Sequence, residues 1–159
     1  MKSKILIIAT VLTTVIYSCN NTKINDNAEG SDRDEHNCIG SAGASWSILK
    51  DSCVQIFVSG TQFSAYGKNT DSIFAAYVII SDDKMKAEVF LPSNYSNESI
   101  ILDAKKTSSE NVEKTLFENT QKMVKIDFIQ NKYIISVKNE AVFSQNFSNT
   151  EGLGKQLIK

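Results

Sequence analysis

The chain has 159 residues and a nearly balanced charge, with 17 Lys and Arg against 18 Asp and Glu. Without a basic excess there is no electrostatic basis for binding nucleic acid, and we expect no nucleic-acid partner. The single histidine, His36, excludes most catalytic schemes that need a histidine base, and the three cysteines lack the spacing of a zinc site, so we predict no metal and no cofactor.

Residues 1–19 read MKSKILIIATVLTTVIYSC and have the order of a secretory signal. Lys2 and Lys4 form a positive start, an apolar run follows, and the small residue Ser18 precedes Cys19. A transmembrane anchor is one alternative, but it needs about 20 apolar residues, more than this run supplies. An ordinary signal peptide that contains a cysteine is the other. We predict a signal peptide over residues 1–18.

A small residue directly before Cys19 resembles the lipobox of bacterial lipoproteins, in which the thiol is acylated and the chain is cut just before it. The resemblance implies lipidation of Cys19 and attachment to the cell envelope, with the outer membrane expected and the domain facing either the periplasm or the surface. Tyr17 departs from the pattern, because it is bulkier than the residue expected there. Loss of Lys2 and Lys4 on cleavage would leave 15 basic residues against 18 acidic ones, a net charge of −3.

Residues 20–37 are polar and acidic, and they cannot bury enough apolar surface to offset their chain entropy. We predict that they form a disordered tether after Cys19, and that His36 is a solvated residue within it. The acidic cluster also resembles the surface-export signal of Bacteroidetes-type lipoproteins, and a solvated linker is the alternative. The cluster comprises Asp26, Glu29, Asp32, Asp34 and Glu35.

With Cys19 assigned to lipid, Cys38 and Cys53 remain as an even pair in an oxidising compartment, which predicts a disulfide between them. Two free thiols are the alternative. The crosslink would close a loop of about 15 residues and contribute roughly 3 kcal/mol. Trp46, the only tryptophan, lies in this loop and is expected to pack over the disulfide or over one end of a sheet. Residues 44–50 could form one turn of helix.

The folded part is predicted to be one β domain over residues 38–159. Short β-branched and aromatic segments alternate there with turn residues, and the alternation leaves one polar face on several of them. The pattern predicts an all-β fold, an antiparallel meander sheet or barrel of about six to eight short strands. The expected strands are 53–58, 61–66, 74–80, 86–91, 99–102, 123–129, 133–137 and 141–143, with 112–117 ambiguous between strand and helix.

Four carboxylates in this domain are candidates for paired acid–base chemistry: Asp82, Asp83, Glu88 and Asp127. The first two lie in a turn and the other two on polar strand faces. Because nothing in the sequence desolvates them, we expect all four to be solvated surface charges, and we predict that the protein is not an enzyme.

The disulfide segment resembles part of a group of small uncharacterised bacterial, Bacteroidetes-type lipoproteins with the pattern C-x-x-S-A-G-x-x-W-x(6)-C. The matching residues here are Cys38, Ser41, Ala42, Gly43, Trp46 and Cys53. That group usually continues I-R-L-F-E after the second cysteine, whereas this chain has VQIFV and so lacks the Arg and the Glu.

A second resemblance is to the membrane-bound inhibitors of C-type lysozyme, which present a loop of the form S-G-x-x-[YF]. Residues 59–63 read SGTQF, which implies a protruding loop with Ser59, Gly60 and Phe63 as binding residues. Trp46 is a further binding candidate. We therefore predict an envelope lipoprotein with a non-enzymatic binding domain, similar to a lysozyme inhibitor, whose partner is lysozyme or an envelope protein. A structural or accessory subunit of an outer-membrane assembly is the alternative.

Overall fold

The computed structural model describes residues 32–67, 74–105, 114–146, 148 and 151–158. The predicted signal peptide, Cys19 and residues 20–31 of the predicted tether lie outside the described residues. The described chain forms a short N-terminal hairpin followed by a closed barrel, so the predicted all-β antiparallel architecture is confirmed. None of the helices in these ranges has the length and apolar character that crossing a bilayer would require.

The barrel has eight antiparallel strands, which neighbour one another in chain order. The last strand closes the barrel by pairing with the first through Phe143 with Ala65 and Ser144 with Ser64. The strands are β3 (Thr61–Ala65), β4 (Ala75–Ile80), β5 (Lys86–Phe90), β6 (Ile100–Ala104), β7 (Lys114–Asn119), β8 (Val124–Ile129), β9 (Lys132–Val137) and β10 (Glu140–Asn146).

Tight turns set the register of the last three strands. Gln130 and Asn131 have φ values of 47° and 61°, and Lys138 and Asn139 have values of 50° and 65°. Two consecutive left-handed residues are typical of the two-residue hairpin turns whose twist matches that of the flanking strands. The turn before β10 is therefore formed by Lys138 and Asn139, and Glu140 already pairs with Val137.

The barrel interior is filled by alternate side chains of the strands. The largest fully buried ones include Phe63, Leu102, Ile126, Ile135 and Phe143. Alternation works because successive residues of a strand point to opposite faces, and an eight-stranded barrel leaves an interior that side chains can fill. Residues 61–66, 74–80, 86–91, 99–102, 123–129 and 133–137 thus form strands close to where the patterns predict them.

Both ends of the barrel are covered. A C-terminal helix, absent from the sequence prediction, spans Gly152–Ile158, and its Leu153 is fully buried in the core. The helix is held to this end by Gln156 Nε2, which donates to Thr61 Oγ1 at 2.8 Å, and by Lys84 Nζ, which donates to the Leu157 carbonyl at 3.1 Å. At the opposite end, the Tyr95 ring from the β5–β6 connection packs edge-on against Phe143, with ring centroids 5.5 Å apart.

The N-terminal hairpin differs from its prediction in two places. Residues Ala44–Ser47 form a strand, β1, and not a turn of helix, because they pair with β2 (Ser52–Gln55). The predicted strand 53–58 ends at Gln55, and Ile56–Ser59 form a single helical turn, α1. The predicted disulfide is confirmed, with Cys38 and Cys53 joined by an S–S bond of 2.02 Å. A short 3-10 helix, Gly40–Ala42, leads into β1.

The ambiguous segment 112–117 is also settled where it is described. Residues Lys114–Asn119 form strand β7, which pairs with β8 through Phe117 and Ile126 among others. Pairing of β7 with both neighbours is needed to close the barrel, so tertiary context decides between two local patterns of similar strength.

Candidate functional site

A buried carboxylate, Glu88, joins the hairpin to the outer face of the barrel. Its side chain is fully buried, at 0% exposure. Each of its oxygens accepts two hydrogen bonds, so four donors replace the water that a surface carboxylate would bind. The donors to Oε1 are Ile48 N at 2.8 Å and Ser99 Oγ at 2.6 Å, and those to Oε2 are Ser47 Oγ at 2.5 Å and Leu49 N at 3.2 Å.

The expectation that Glu88 is a solvated surface charge is therefore wrong. Alternation does place it on the outer face of β5, but this face is covered by the turn between β1 and β2. Lys50 N donates to Ser47 Oγ at 3.2 Å and helps to hold that turn around the carboxylate. Two apolar residues of the same outer face, Ile79 and Phe90, are also buried. The barrel thus has a dry patch on its outside where the hairpin docks.

Residues 32–37, which we call the strap, pack against the hairpin although we assigned them to the tether. Asp34 Oδ1 accepts hydrogen bonds from the backbone N–H groups of His36 and Cys38, both at 2.9 Å. The carboxylate of Asp32 accepts from the backbone N–H and the hydroxyl of Ser41. These hydrogen bonds lower the pKa of Asp32, the hydroxyl of Ser41 being the largest cause. Ordered contacts therefore begin before Cys38.

His36 and Trp46 form an aromatic stack on the hairpin. Their ring centroids are 4.3 Å apart and their planes differ by 10°. Trp46 pairs in register with Cys53, which places the stack beside the disulfide, one of the two positions predicted for Trp46. His36 is more than a solvated linker residue, since one face of its ring is covered by the indole.

A groove of about 620 Å³ opens between the strap, the hairpin and the β5–β6 connection. That volume lies within the range of about 300–1,000 Å³ typical of ligand sites. The groove has an apolar part, an aromatic wall and a polar rim. It is lined by Asp34, Glu35, His36, Ser45, Trp46, Ile48, Ile56, Phe90, Leu91, Ser96, Asn97, Glu98 and Ser99.

The charges around the groove have one sign. Three of the lining residues are carboxylates, Asp34 and Glu35 on the strap and Glu98 on the opposite side, and the lining contains neither Lys nor Arg. A rim of this kind gives the groove a negative potential and favours a cationic ligand group. Ser99 belongs both to this lining and to the hydrogen bonds of Glu88, so the buried carboxylate fixes one side of the groove.

The structure separates the predicted binding residues. Trp46 lines the groove, whereas Ser59, Gly60 and Phe63 do not. Phe63 is fully buried inside the barrel, so the expectation of a protruding loop over residues 59–63 is wrong. Ser59 ends α1 and Gly60 turns the chain into β3. A Cβ on Gly60 would lie 2.7 Å from the Ile56 carbonyl oxygen, which explains the glycine by space rather than by binding.

The four candidate carboxylates lie at three separate places in the fold. Asp127 is buried at 5% exposure, contrary to expectation, and its carboxylate is 3.0 Å from Lys125 Nζ. Strands β6 and β7 lie between β5, which carries Glu88, and β8, which carries Asp127, so these two carboxylates are not on neighbouring strands. Asp82 and Asp83 are exposed at the β4–β5 turn, as expected. Within the described ranges, no group of three or more His, Cys, Asp or Glu is arranged to hold a metal.

Comparison of the chain with protein-family models, with curated proteins and with solved structures finds no match. The resemblances to envelope lipoproteins and to lysozyme inhibitors stay predictions from the sequence.

Proposed function

We propose that this chain is a cell-envelope lipoprotein whose barrel domain is a non-enzymatic binding module. The sequence supports the envelope location through the signal-like start and the lipobox resemblance at Cys19. The groove supports the binding role, because it is large enough for part of a ligand and combines apolar, aromatic and charged groups.

One observation carries the proposal: the groove walls are fixed before any ligand arrives. The Cys38–Cys53 bond and the four hydrogen bonds of Glu88 hold the hairpin, and with it Trp46, against the barrel. A preformed wall reduces the ordering cost of binding. Glu88 has its hydrogen-bonding sites occupied by donors of the protein itself, which favours a positioning role for it over a role in proton transfer.

Site-specific photo-crosslinking in the cells that produce the protein tests the binding role. A photoreactive amino acid replaces Asn97 on the groove rim, and the same amino acid replaces the exposed Met123 at the β7–β8 turn as the matched control. We expect a discrete crosslinked partner from position 97 that is missing from position 123. Equal crosslinking from both positions, or none from position 97, would contradict the proposal.

Lysozyme inhibition is the most concrete version of this function. Burial of Phe63 removes the loop insertion that the resemblance implied, so the acidic groove is the surface that would contact lysozyme. We expect the purified protein at micromolar concentration to reduce the activity of a C-type lysozyme, and the Glu35→Gln/Glu98→Gln variant to reduce it less. Full lysozyme activity in the presence of the unmodified protein would rule this version out.

A second candidate function is supported by a separate patch. Phe57 and Val58 in α1 are 55% and 70% exposed, and two adjacent exposed apolar side chains favour contact with another protein. An accessory subunit of an outer-membrane assembly would use this patch. Val58→Arg should then release a stoichiometric partner that co-purifies from detergent-solubilised envelope, while Met85→Arg, at another exposed apolar position, should retain it. Retention by both variants would contradict this candidate.

A further inference from the structure

We propose that the groove takes a cationic side chain, arginine in preference to lysine, carried on an exposed loop of a protein partner. The inference rests on the proposed function and adds the chemical class of the ligand. Three features of the groove carry it: carboxylates on two sides, an aromatic residue in the wall, and apolar residues in the lining.

The carboxylates are placed to contact a cation from two directions. Asp34 and Glu35 belong to the strap, and Glu98 belongs to the β5–β6 connection on the other side of the groove. Asp34 is held in place because its Oδ1 accepts hydrogen bonds from the backbone N–H groups of His36 and Cys38. Its Oδ2 remains for further contacts. A guanidinium presents several N–H donors in one plane and can pair with a carboxylate through two of them.

The aromatic wall favours the planar cation over the compact one. Trp46 stacks with His36 at 4.3 Å between centroids and lines the groove beside the carboxylates. Guanidinium groups stack on aromatic faces, and tryptophan is the best of the aromatic partners for a cation. Lysine would gain the charge contacts but not the stacking, so we expect it to bind more weakly than arginine.

The remaining lining matches a long side chain that enters from a larger body. Ile48, Ile56, Phe90 and Leu91 provide apolar surface on which the methylene stem of arginine can lie. Ser45 and Asn97, also in the lining, provide hydrogen-bonding groups for the backbone of the partner. A phosphate-bearing ligand such as a lipid headgroup or a nucleic acid would instead meet three carboxylates and neither Lys nor Arg in the groove lining.

The single tryptophan makes the test direct, because the only indole of the chain lies in the groove. The probe is the blocked peptide acetyl-Gly-Arg-Gly-amide, titrated to tens of millimolar at pH 8 while Trp46 fluorescence is recorded. The matched probe carries citrulline, which has nearly the shape of arginine but no charge. We expect a saturable change with arginine and binding about fivefold weaker with citrulline, the effect of losing two exposed charge contacts.

Protein variants complete the test. The Glu35→Gln/Glu98→Gln variant should bind the arginine peptide about fivefold more weakly and bind the citrulline peptide as the unmodified protein does. Glu151→Gln, which removes one exposed carboxylate outside the groove lining, should bind the arginine peptide as the unmodified protein does. Equal binding of the two peptides, or equal binding by the double variant, overturns the cation inference.

The failure of this inference can be told apart from failure of the proposed function. If the arginine peptide leaves Trp46 fluorescence unchanged while the photoreactive group at position 97 still captures a partner, the groove binds a ligand of another class and the inference is wrong. If position 97 also captures nothing, the binding role of the groove is wrong as well.

Discussion

The barrel and the hairpin are stabilised by different kinds of interaction. The barrel encloses a continuous apolar interior, with side chains such as Phe63 and Leu102 fully buried. The hairpin is too small for a core of its own, and the disulfide, the turn around Glu88 and the hydrogen bonds of the strap hold it instead. Small units that bury little apolar area commonly depend on crosslinks and specific polar contacts, and here one such unit sits on the side of a well-packed one.

Strands β4 and β5 contribute to both units. The inner faces of β4 and β5 supply core residues, among them Val78 and Val89. Their outer faces supply Ile79 and Glu88, which pair in register and are buried outside the barrel. A substitution inside the barrel should therefore destabilise both units, whereas a substitution on its outer face should destabilise only the hairpin and the groove.

The largest effect is expected from the core. Leu102→Ala should lower the free energy of unfolding by about 4 kcal/mol, because it leaves a cavity at a fully buried site. Chemical denaturation followed by circular dichroism measures this. Met123→Ala, at an exposed position, should change stability by less than about 0.5 kcal/mol. Similar values for the two variants would contradict the division between core and surface described above.

The disulfide should matter next, and mainly to the hairpin. Cys38→Ser/Cys53→Ser is expected to ease opening of the hairpin by about 3 kcal/mol, since the crosslink closes a loop with a sequence separation of 15. Amide hydrogen exchange should rise over residues 38–55 and stay slow in β8 and β9. A uniform rise across β8 and β9 would mean that the hairpin and the barrel unfold as one unit.

The buried carboxylate gives a smaller and more local effect. Glu88→Gln keeps the shape but turns one acceptor into a donor that faces donors, at a cost of about 2 kcal/mol. Exchange of the Ile48 and Leu49 amides should accelerate, and Trp46 fluorescence should shift. Glu118→Gln, which breaks the half-exposed pair with Lys105, should cost less than about 1 kcal/mol. An equal cost for the two substitutions would contradict an anchoring role for Glu88.

The smallest effect is expected at low pH, and it comes from Asp32 in the strap. Hydrogen bonds from Ser41 hold the pKa of Asp32 below its ordinary value of 3.8. A lowered pKa contributes stability that is present above the ordinary value and is lost as the pH falls through the lower folded value. In the Asp32→Asn variant, the protection of the hairpin amides against hydrogen exchange should therefore fall less steeply below about pH 4 than in the unmodified protein.

A second aspartate provides the comparison for that measurement. The pKa of Asp83 is also lowered, chiefly by the hydroxyl of Ser81, but this residue lies at the β4–β5 turn of the barrel. Asp83→Asn should leave the acid response of the hairpin unchanged. A flattened hairpin response in Asp83→Asn would mean that the two turns are coupled.

The sequence was sufficient for the barrel because its strands alternate strictly enough to fix inner and outer faces. The sequence was not sufficient to predict which segments cover the outer faces. Alternation places Glu88 outside the barrel but carries no information on whether another segment lies over it. One signal was available: residues 74–80 are almost continuously apolar, which indicates a strand covered on both faces, and its neighbour Glu88 shares that cover.

Other misses have equally local causes. Residues 44–50 have enough Ala, Leu and Lys to suggest a helical turn, yet pairing of β1 with β2 across the disulfide decides for a strand. The groove joins Glu35 and His36 to Glu98 from a distant part of the chain, a juxtaposition that no spacing in the sequence encodes. Phe63 matched a loop motif, but it shares one face of the predicted strand with Thr61, and the polar Gln62 and Ser64 lie on the other face, which was the stronger signal and pointed to the core.

The strap also sets how far the groove can lie from a membrane. Residues 34–36 line the groove, so the described part of the chain begins, at Asp32, only two residues from the binding surface. From Cys19 to Asp32 the chain can span at most about 45 Å when fully extended. With Cys19 acylated as proposed, the groove samples only a thin layer next to the bilayer, and a pull on a bound partner is transmitted directly to the lipid attachment.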